Sequence, residues 1–171
     1  WFGNGVISNF MTPYYTGATP SPFKGFYILI RAALSALVGG AYAKTIAAPA
    51  HFEIEVDGVR WPYHEWLALC IGSLIDIGFG FRAFYRLKEE EGVAHALGFA
   101  CTPFRMAMTL HRIYFGWPLR RADMMDVAGR DIVLRGPGKI SYMVDGDLLE
   151  ADGEVRIGVS RPVHLVVPRN A

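Results

Sequence analysis

The sequence predicts a mainly β, α+β fold: an antiparallel β-sandwich of short strands with one or two attached helices. Three observations carry that prediction. From Met125 onward, the β-rich runs Val127, Ile132–Leu134, Ile140–Val144, Val155–Val159 and Val163–Val167 are punctuated by Gly136-Pro137-Gly138, Asp145-Gly146, Asp152-Gly153 and Arg161-Pro162. Strands repeating at roughly 8–12 residues with turn signals between them build sandwiches and barrels. Between His51 and Trp61, Phe52, Ile54 and Val56 alternate with Glu53, Glu55 and Asp57, the period-two pattern of a half-buried strand. Finally, 52% of the chain is hydrophobic and only 19% charged, against about 25% charged in a typical soluble domain. Such a chain has ample material for a core and is not disordered, collagenous or coiled-coil. Its 171 residues suffice for one cored domain and are short for two, so 1–171 is expected to fold as a single unit.

Element by element, Trp1–Thr19 is rich in Gly, Tyr and Thr and reads as strand or loop. Ser21-Pro22 supplies a helix start, an N-cap followed by proline in the first turn. Phe26, Ile30, Ala33, Leu34, Leu37 and Val38 then recur on one helical face. Asp57-Gly58 is a hairpin signal, because both central positions of the tight turn want positive φ. Leu67–Phe81 is a continuous apolar run that fits one strand buried on both faces or a pair of short strands. Glu89-Glu90-Glu91 marks a solvated loop. Thr102-Pro103 repeats the helix-start signature ahead of a helix over Phe104–Phe115.

Several function classes drop out. Seventeen Lys+Arg against sixteen Asp+Glu leave a formal charge of +1, which argues against broad nucleic-acid binding. The two cysteines, Cys70 and Cys101, are far apart and lack C-x-x-C spacing, so neither a disulfide framework nor a zinc site is expected, and a reducing, cytoplasmic compartment is. Trp1 opens the chain without Met or a signal-peptide pattern, as in a fragment or processed product. Phe26–Ala43 is broken by Arg31 and Gly39-Gly40, and Leu67–Phe81 is short and holds Asp76, so neither makes the roughly 20 apolar residues of a membrane span. Asp76 reads as a paired core carboxylate or a strand residue facing a polar cleft. His64-Glu65 lacks the second histidine of H-E-x-x-H, residue 68 being Ala. Ser73 lacks the final glycine of a G-x-S-x-G elbow, residue 75 being Ile. Gly3-Asn4-Gly5 lacks the third glycine of a dinucleotide fingerprint, and no P-loop occurs. The five histidines are scattered, so no metal site is expected.

The remaining motif is Val144-Asp145-Gly146-Asp147. By itself it is a strong hairpin signal, and Asp57-Gly58 and Asp152-Gly153 look the same. Its surroundings give it more weight. A helix over Phe104–Gly116, then Ile140-Ser141-Tyr142-Met143-Val144-Asp145-Gly146-Asp147, then Arg161-Pro162-Val163-His164-Leu165-Val166-Val167-Pro168 follow one another in the order and spacing of a known family. Thr102–Pro168 resembles the C-terminal part of the diacylglycerol kinase catalytic domain family, which includes bacterial lipid kinases and the sphingosine and ceramide kinases. Members of that family show an arginine-containing leucine-rich helix, a Y-x-V-D-G-E motif and a closing P-x-x-L-x-V-x-V-P strand.

The resemblance implies a C-terminal, substrate-side β-sandwich domain only. The family's N-terminal ATP-binding domain carries a G-G-D-G-T motif that occurs nowhere in this chain, so ATP and Mg²⁺ are expected mostly on that other domain and this fragment alone is expected to be inactive. It also implies that Asp145 is the general base on a lipid hydroxyl, with Gly146 and Asp147 beside substrate or nucleotide. A carboxylate suits that role, since an attacking hydroxyl must lose its proton. The sequence departs from the family in three places: the family's Glu is Asp147 here, its mid-domain Asn is absent from Cys70–Ser73, and its Asp-Asp is absent from Glu91–Ala94.

Arg105, Arg112, Arg120 and Arg121 lie near Tyr114 and Trp117 and read as a solvated helix face or as a contact to an anionic bilayer or phosphate. The expected partners are thus a lipid substrate, a peripheral membrane surface and the protein's own ATP-binding domain, with no nucleic acid and a homodimer left open. The leading reading is a lipid kinase's substrate domain, transferring the ATP γ-phosphate to a diacylglycerol-like or sphingoid hydroxyl. The alternative is a non-catalytic lipid-binding or scaffolding relative, and a further option is a small-molecule kinase of the same superfamily.

Overall fold

A computed structural model describes residues 1–160, apart from 18, 20, 38, 39, 78 and 79. The run Val163–Val167 and the Arg161-Pro162 turn lie outside the described residues. Strand β1 (Phe2–Gly5) opens the chain and passes directly into helix α1 (Val6–Tyr15). Half of the Trp1–Thr19 segment is therefore helical, although read as strand or loop. The helix lacks a side-chain N-cap and carries Pro13 inside, so it shows none of the usual sequence punctuation. Helix α2 (Pro22–Leu37) begins as predicted, the Lys24 N–H donating to Ser21 Oγ at 3.2 Å. A short α3 (Ala41–Ile46) follows.

The next residues are strands: β2 (Ala50–His51), β3 (Glu53–Val56), β4 (Val59–Arg60), β5 (Glu65–Trp66) and β6 (Ala68–Gly72). Ile54 and Val56 are buried while Glu53 and Glu55 are half-buried, as the alternation requires. Asp57 and Gly58 make the hairpin turn at φ of 49° and 80°. Of the 67–81 run only β6 is strand, buried at all five positions. Asp76 falls in the bend beyond it and is exposed, neither a paired core carboxylate nor a strand residue. A 3₁₀ turn over Tyr85–Lys88 precedes β7 (Ala94–Phe99). Helix α4 (Pro103–Phe115) is capped by the Thr102 hydroxyl and stopped by Gly116 in the left-handed region at φ 67°.

The last elements are β8 (Met124–Gly129), β9 (Asp131–Val144) and β10 (Asp147–Gly158). Only one of the turns expected within 131–158 exists, Asp145-Gly146. Gly136-Pro137-Gly138 and Asp152-Gly153 lie instead inside strands of 14 and 12 residues. The two turn signals face each other across the ladder, where the register jumps between Asp152↔Lys139 and Glu154↔Arg135. The extra β9 residues are absorbed as a bulge, so neither strand ends there.

Eight strands form one antiparallel sheet in the order β4-β3-β9-β1-β6-β7-β8, with β10 on β9, while β2 and β5 pair separately. β9 lies inside this sheet and joins its two parts: its first half pairs with β3 and its last residues with β1. The sandwich is thus one sheet curled over its own core, where Ile54, Ile132 and Leu134 meet Leu69, Ile71 and Ala96. The approach is close. A Cβ on Gly129 would stand 2.4 Å from Val56 Cγ1, and one on Gly98 would stand 2.5 Å from Trp61. A second cluster, with Phe84, Leu97, Phe99 and Ile113, fills the outer face beneath α4. Four α-helices are described, beyond the one or two expected, because α1 and α3 carry no sequence signal of their own.

Candidate functional site

Asp145 stands at the tip of the β9–β10 hairpin, in the left-handed region at φ 49°, followed by Gly146 at φ 106°. Asp and Gly are among the few residues that adopt such a turn cheaply. The turn is anchored from three sides. The Asp145 N–H donates to the Trp1 carbonyl at 3.0 Å, which extends the β1–β9 ladder by one step. The Gly146 N–H lies 2.9 Å from Met143 Sδ, and the Tyr15 hydroxyl at the end of α1 packs against Gly146, 3.2 Å from where a Cβ would stand. The Asp145 carboxylate is 72% exposed and pairs with the amino nitrogen of Trp1. The geometry is a fixed backbone presenting an exposed carboxylate, one oxygen of which faces the Trp1 nitrogen while the other is able to accept a proton from a group brought to it. Asp147 follows as the exposed first residue of β10, opposite Val144.

The strand register continues across the sheet from this tip. Trp1 lies beside Gly72, and Gly72 is paired with His95 and His95 with Ala128. Three strand steps of about 4.8 Å each separate Asp145 from His95. His95 is fully buried and belongs to a second constellation centred on Asp126 of β8. The Asp126 carboxylate meets His95 Nε2 at 2.8 Å and accepts from the Tyr85 hydroxyl at 2.6 Å, Arg86 Nε at 2.7 Å and the Leu119 N–H at 2.8 Å. Burial alone would raise this carboxyl, but the hydrogen bonds outweigh it and hold it well below the usual carboxylate range. Burial, and then the bond to Asp126, push the Tyr85 phenol upward. Every acceptor position of Asp126 is occupied, so the group is a fastener rather than a reagent.

Of the four arginines, two come together. Arg105 and Arg121 converge on Asp123, at 2.9 and 3.1 Å. Arg112 donates to the Pro118 carbonyl at 3.0 Å and lies over the Trp117 ring, while Arg120 is exposed. They do not join Asp145 in one constellation. What surrounds them is an apolar surface: Phe104, Met108 and Phe115 of α4 are more than half exposed, as are Phe23, Tyr27 and Leu34 of α2, which touches α4. Burial pushes the Cys70 thiol up to about 12 and the Cys101 thiol up to about 11, so both are poor nucleophiles. Among the described residues no group of three or more His, Cys, Asp or Glu gathers to hold a metal. No helix among them is long and apolar enough to cross a membrane.

Sequence reasoning found the Asp145 turn and missed Tyr15, which sits on the unpredicted α1, and the Asp126 cluster, whose members Tyr85 and His95 lie 41 and 31 residues away.

No protein-family model matches the sequence, and none of the curated proteins does. Solved structures do match in three dimensions. A protein described as a putative diacylglycerol kinase from Bacillus anthracis str. Sterne superposes at a TM-score of 0.52 with 11% identity, covering 92% of this chain. The fold is similar to that of a diacylglycerol kinase. The likeness spans 48% of that protein's length, so this chain corresponds to about half of it. A second diacylglycerol kinase structure from the same organism covers 66% of this chain and 41% of its own, at 15% identity and a TM-score of 0.47. A diacylglycerol kinase fold over nearly the whole described chain agrees with the α+β sandwich, and with the resemblance read from Thr102–Pro168.

Proposed function

We propose that this chain is the acceptor-side half of a lipid kinase, in which Asp145 takes the proton from a lipid hydroxyl as that hydroxyl attacks a phosphoryl group. The observation that carries the reading is the Asp145 turn itself: an exposed carboxylate on a backbone fixed by β1, Met143 and Tyr15, on the fold of a diacylglycerol kinase. A base must reach the proton and stay in place, and this arrangement supplies both. ATP and Mg²⁺ would be held mostly by a partner domain, since the sequence has no G-G-D-G-T and no metal-holding cluster gathers among the described residues.

Asp147 is the observation that favours the second reading, a non-catalytic lipid-binding relative, because it is one methylene shorter than the Glu of the resembling motif. The two readings part on one experiment. Phosphate transfer from ATP to diacylglycerol and sphingosine in mixed micelles is measured for the full-length protein and for Asp145→Asn. A general base is expected to show as a loss of about 10²–10⁴-fold. Wild-type rates in the variant would remove Asp145 from the chemistry, and lipid binding without turnover in either form would support the second reading.

The same proposal places the apolar face of α2 and α4 on an anionic bilayer. Arg105, Arg120 and Arg121 flank it, and each basic residue near such a surface contributes about 1 kcal/mol. Cosedimentation with phosphatidylserine-containing vesicles is expected to fall sharply in a Phe23→Glu/Met108→Glu double variant. Unchanged sedimentation would leave that face without a role at the membrane.

A further inference from the structure

Strand β10 carries β9 along one edge, and no strand among the described residues pairs with its other edge. One bond fixes which way its backbone groups point. The Val159 N–H donates inward to the Arg130 carbonyl at 3.0 Å. Groups alternate along an antiparallel ladder, and the register from Glu154↔Arg135 to Gly158↔Asp131 is unbroken. Val155 and Ile157 therefore also bond inward, and the N–H and C=O groups of Glu154, Arg156 and Gly158 point outward. A row of this kind is a template for another strand. The bulge between Asp152 and Glu154 distorts the edge before it, so the regular template is the stretch from Glu154 to Gly158.

The side chains on the two faces of this stretch select the partner. On the outer face, ion pairs run across the sheet to the edge. Glu55 pairs with Arg135 at 3.2 Å and Arg135 with Glu154 at 2.8 Å, so the charges alternate in sign. Beside this row, Asp131 pairs with Arg156 at 2.7 Å. Both rows end at the edge with bonding capacity unspent. Glu154 engages Oε2 and keeps Oε1, while Arg156 engages Nε and Nη2 and keeps Nη1. On the inner face, Val155 and Ile157 pack against the core and remain half-buried, so an added strand would cover them further.

A second copy of β10 supplies what both faces lack. Set antiparallel about a two-fold axis through Val155, it places the partner's Arg156 opposite Glu154 and the partner's Glu154 opposite Arg156. The two rows then join into one: Glu55, Arg135 and Glu154, followed by the partner's Arg156 and the partner's Asp131, alternating in sign throughout. Opposite charges directly across a ladder stabilise it, and like charges destabilise it. An axis through Glu154 or Arg156 would instead set like charges face to face. The axis through Val155 also brings the two valines together and matches outward N–H with outward C=O groups.

We propose that the protein self-associates edge to edge through residues 154–158 of β10, making one continuous sheet across two copies. The inference is independent of the kinase reading. The contact is small, so association in the micromolar range is expected.

Sedimentation equilibrium of the full-length protein tests this by charge exchange. Arg156→Glu opposes carboxylate to carboxylate twice, and Glu154→Arg opposes guanidinium to guanidinium twice. Each variant alone is expected to self-associate about tenfold more weakly than the wild type. An equimolar mixture of the two restores both opposite-charge contacts and is expected to regain wild-type association, which misfolding of either variant would not produce. Hydrogen exchange of the wild type is the second measurement, and the amides of Glu154, Arg156 and Gly158 are expected to gain protection as protein concentration rises. Should either variant fail to fold, that concentration dependence decides. The proposal is overturned if the wild type stays monomeric up to about 0.5 mM, or if two folded variants associate no better mixed than alone. It is equally overturned if those amides exchange at the same rate at all concentrations, whether fast, from an open edge, or slow, from an edge covered within the same chain.

Discussion

Asp126 and Asp145 are carboxylates of the same curled sheet, and they differ in almost every physical respect. Asp126 is buried, accepts from three side chains and a backbone N–H, and ties β7, β8, the 3₁₀ turn and Leu119 together. Asp145 is exposed on a turn, with its backbone fixed and its carboxylate paired through one oxygen to the Trp1 nitrogen. A strongly shifted titration in a packed cluster is easily taken for a catalytic site. Here it marks the residue that holds the outer face together, because no acceptor position of Asp126 is left for a substrate. The residue suited to chemistry is the one whose surroundings fix its backbone and leave most of its carboxylate exposed.

That contrast is open to experiment, beginning with the largest effect. Asp145→Asn is expected to abolish most lipid phosphorylation, by about 10²–10⁴-fold, while leaving Tm in place. Asp126→Asn should do the reverse. Removing one partner from a buried ionic cluster costs about 3–5 kcal/mol, a Tm drop of at least about 6 °C in a domain of this size. A Tm loss in the first variant, or none in the second, would erase the distinction between them.

The pH dependence sharpens the same point. Asp126 is depressed in the folded state, so the unfolded chain takes up its proton first, near the ordinary carboxylate pKa of about 4. Its stabilisation is complete above that pH and declines as the solution is acidified toward the folded-state value. Urea unfolding between pH 3 and 7 is expected to show this acid limb in the wild type and a flatter one in Asp126→Asn. The smallest effect belongs to Gly146→Ala. Its φ of 106° strains any Cβ, and the Tyr15 hydroxyl stands close, so about 1–2 kcal/mol of stability should be lost. Turnover should fall by more than that loss explains, because the turn carrying Asp145 must shift. An activity unchanged in this variant would show that the turn's placement does not matter.

Most of the architecture was legible because it is written in local rules. Thr102-Pro103 and Gly116 bracket α4, Asp57-Gly58 and Asp145-Gly146 make their hairpins, and Phe52, Ile54 and Val56 face the core. The failures have physical causes. Gly136-Pro137-Gly138 and Asp152-Gly153 each carry turn chemistry, and only their cross-strand register turns them into a bulge. Leu34, placed on the apolar stripe of α2, is 60% exposed because the helix is apolar on more than its packed side. The Asp145 turn could be seen in the sequence, but Tyr15 beside it and the Asp126 cluster could not. Each depends on residues that no local pattern links.

The central position of β1 also governs how the chain reaches this state. Phe2–Asn4 lies between β6 and β9, and Asn4 bonds Ser141 across 137 residues of sequence. Closing so long a loop is entropically late, so this strand has to wait for nearly the whole of the chain before its second edge is covered. On a ribosome β1 emerges long before β9 and is among the last of these strands to be fully paired, with its open edge exposed to misassociation in the interval. Mutations along β1 should therefore show themselves in slower folding and lower yield before they show in the stability of the folded protein.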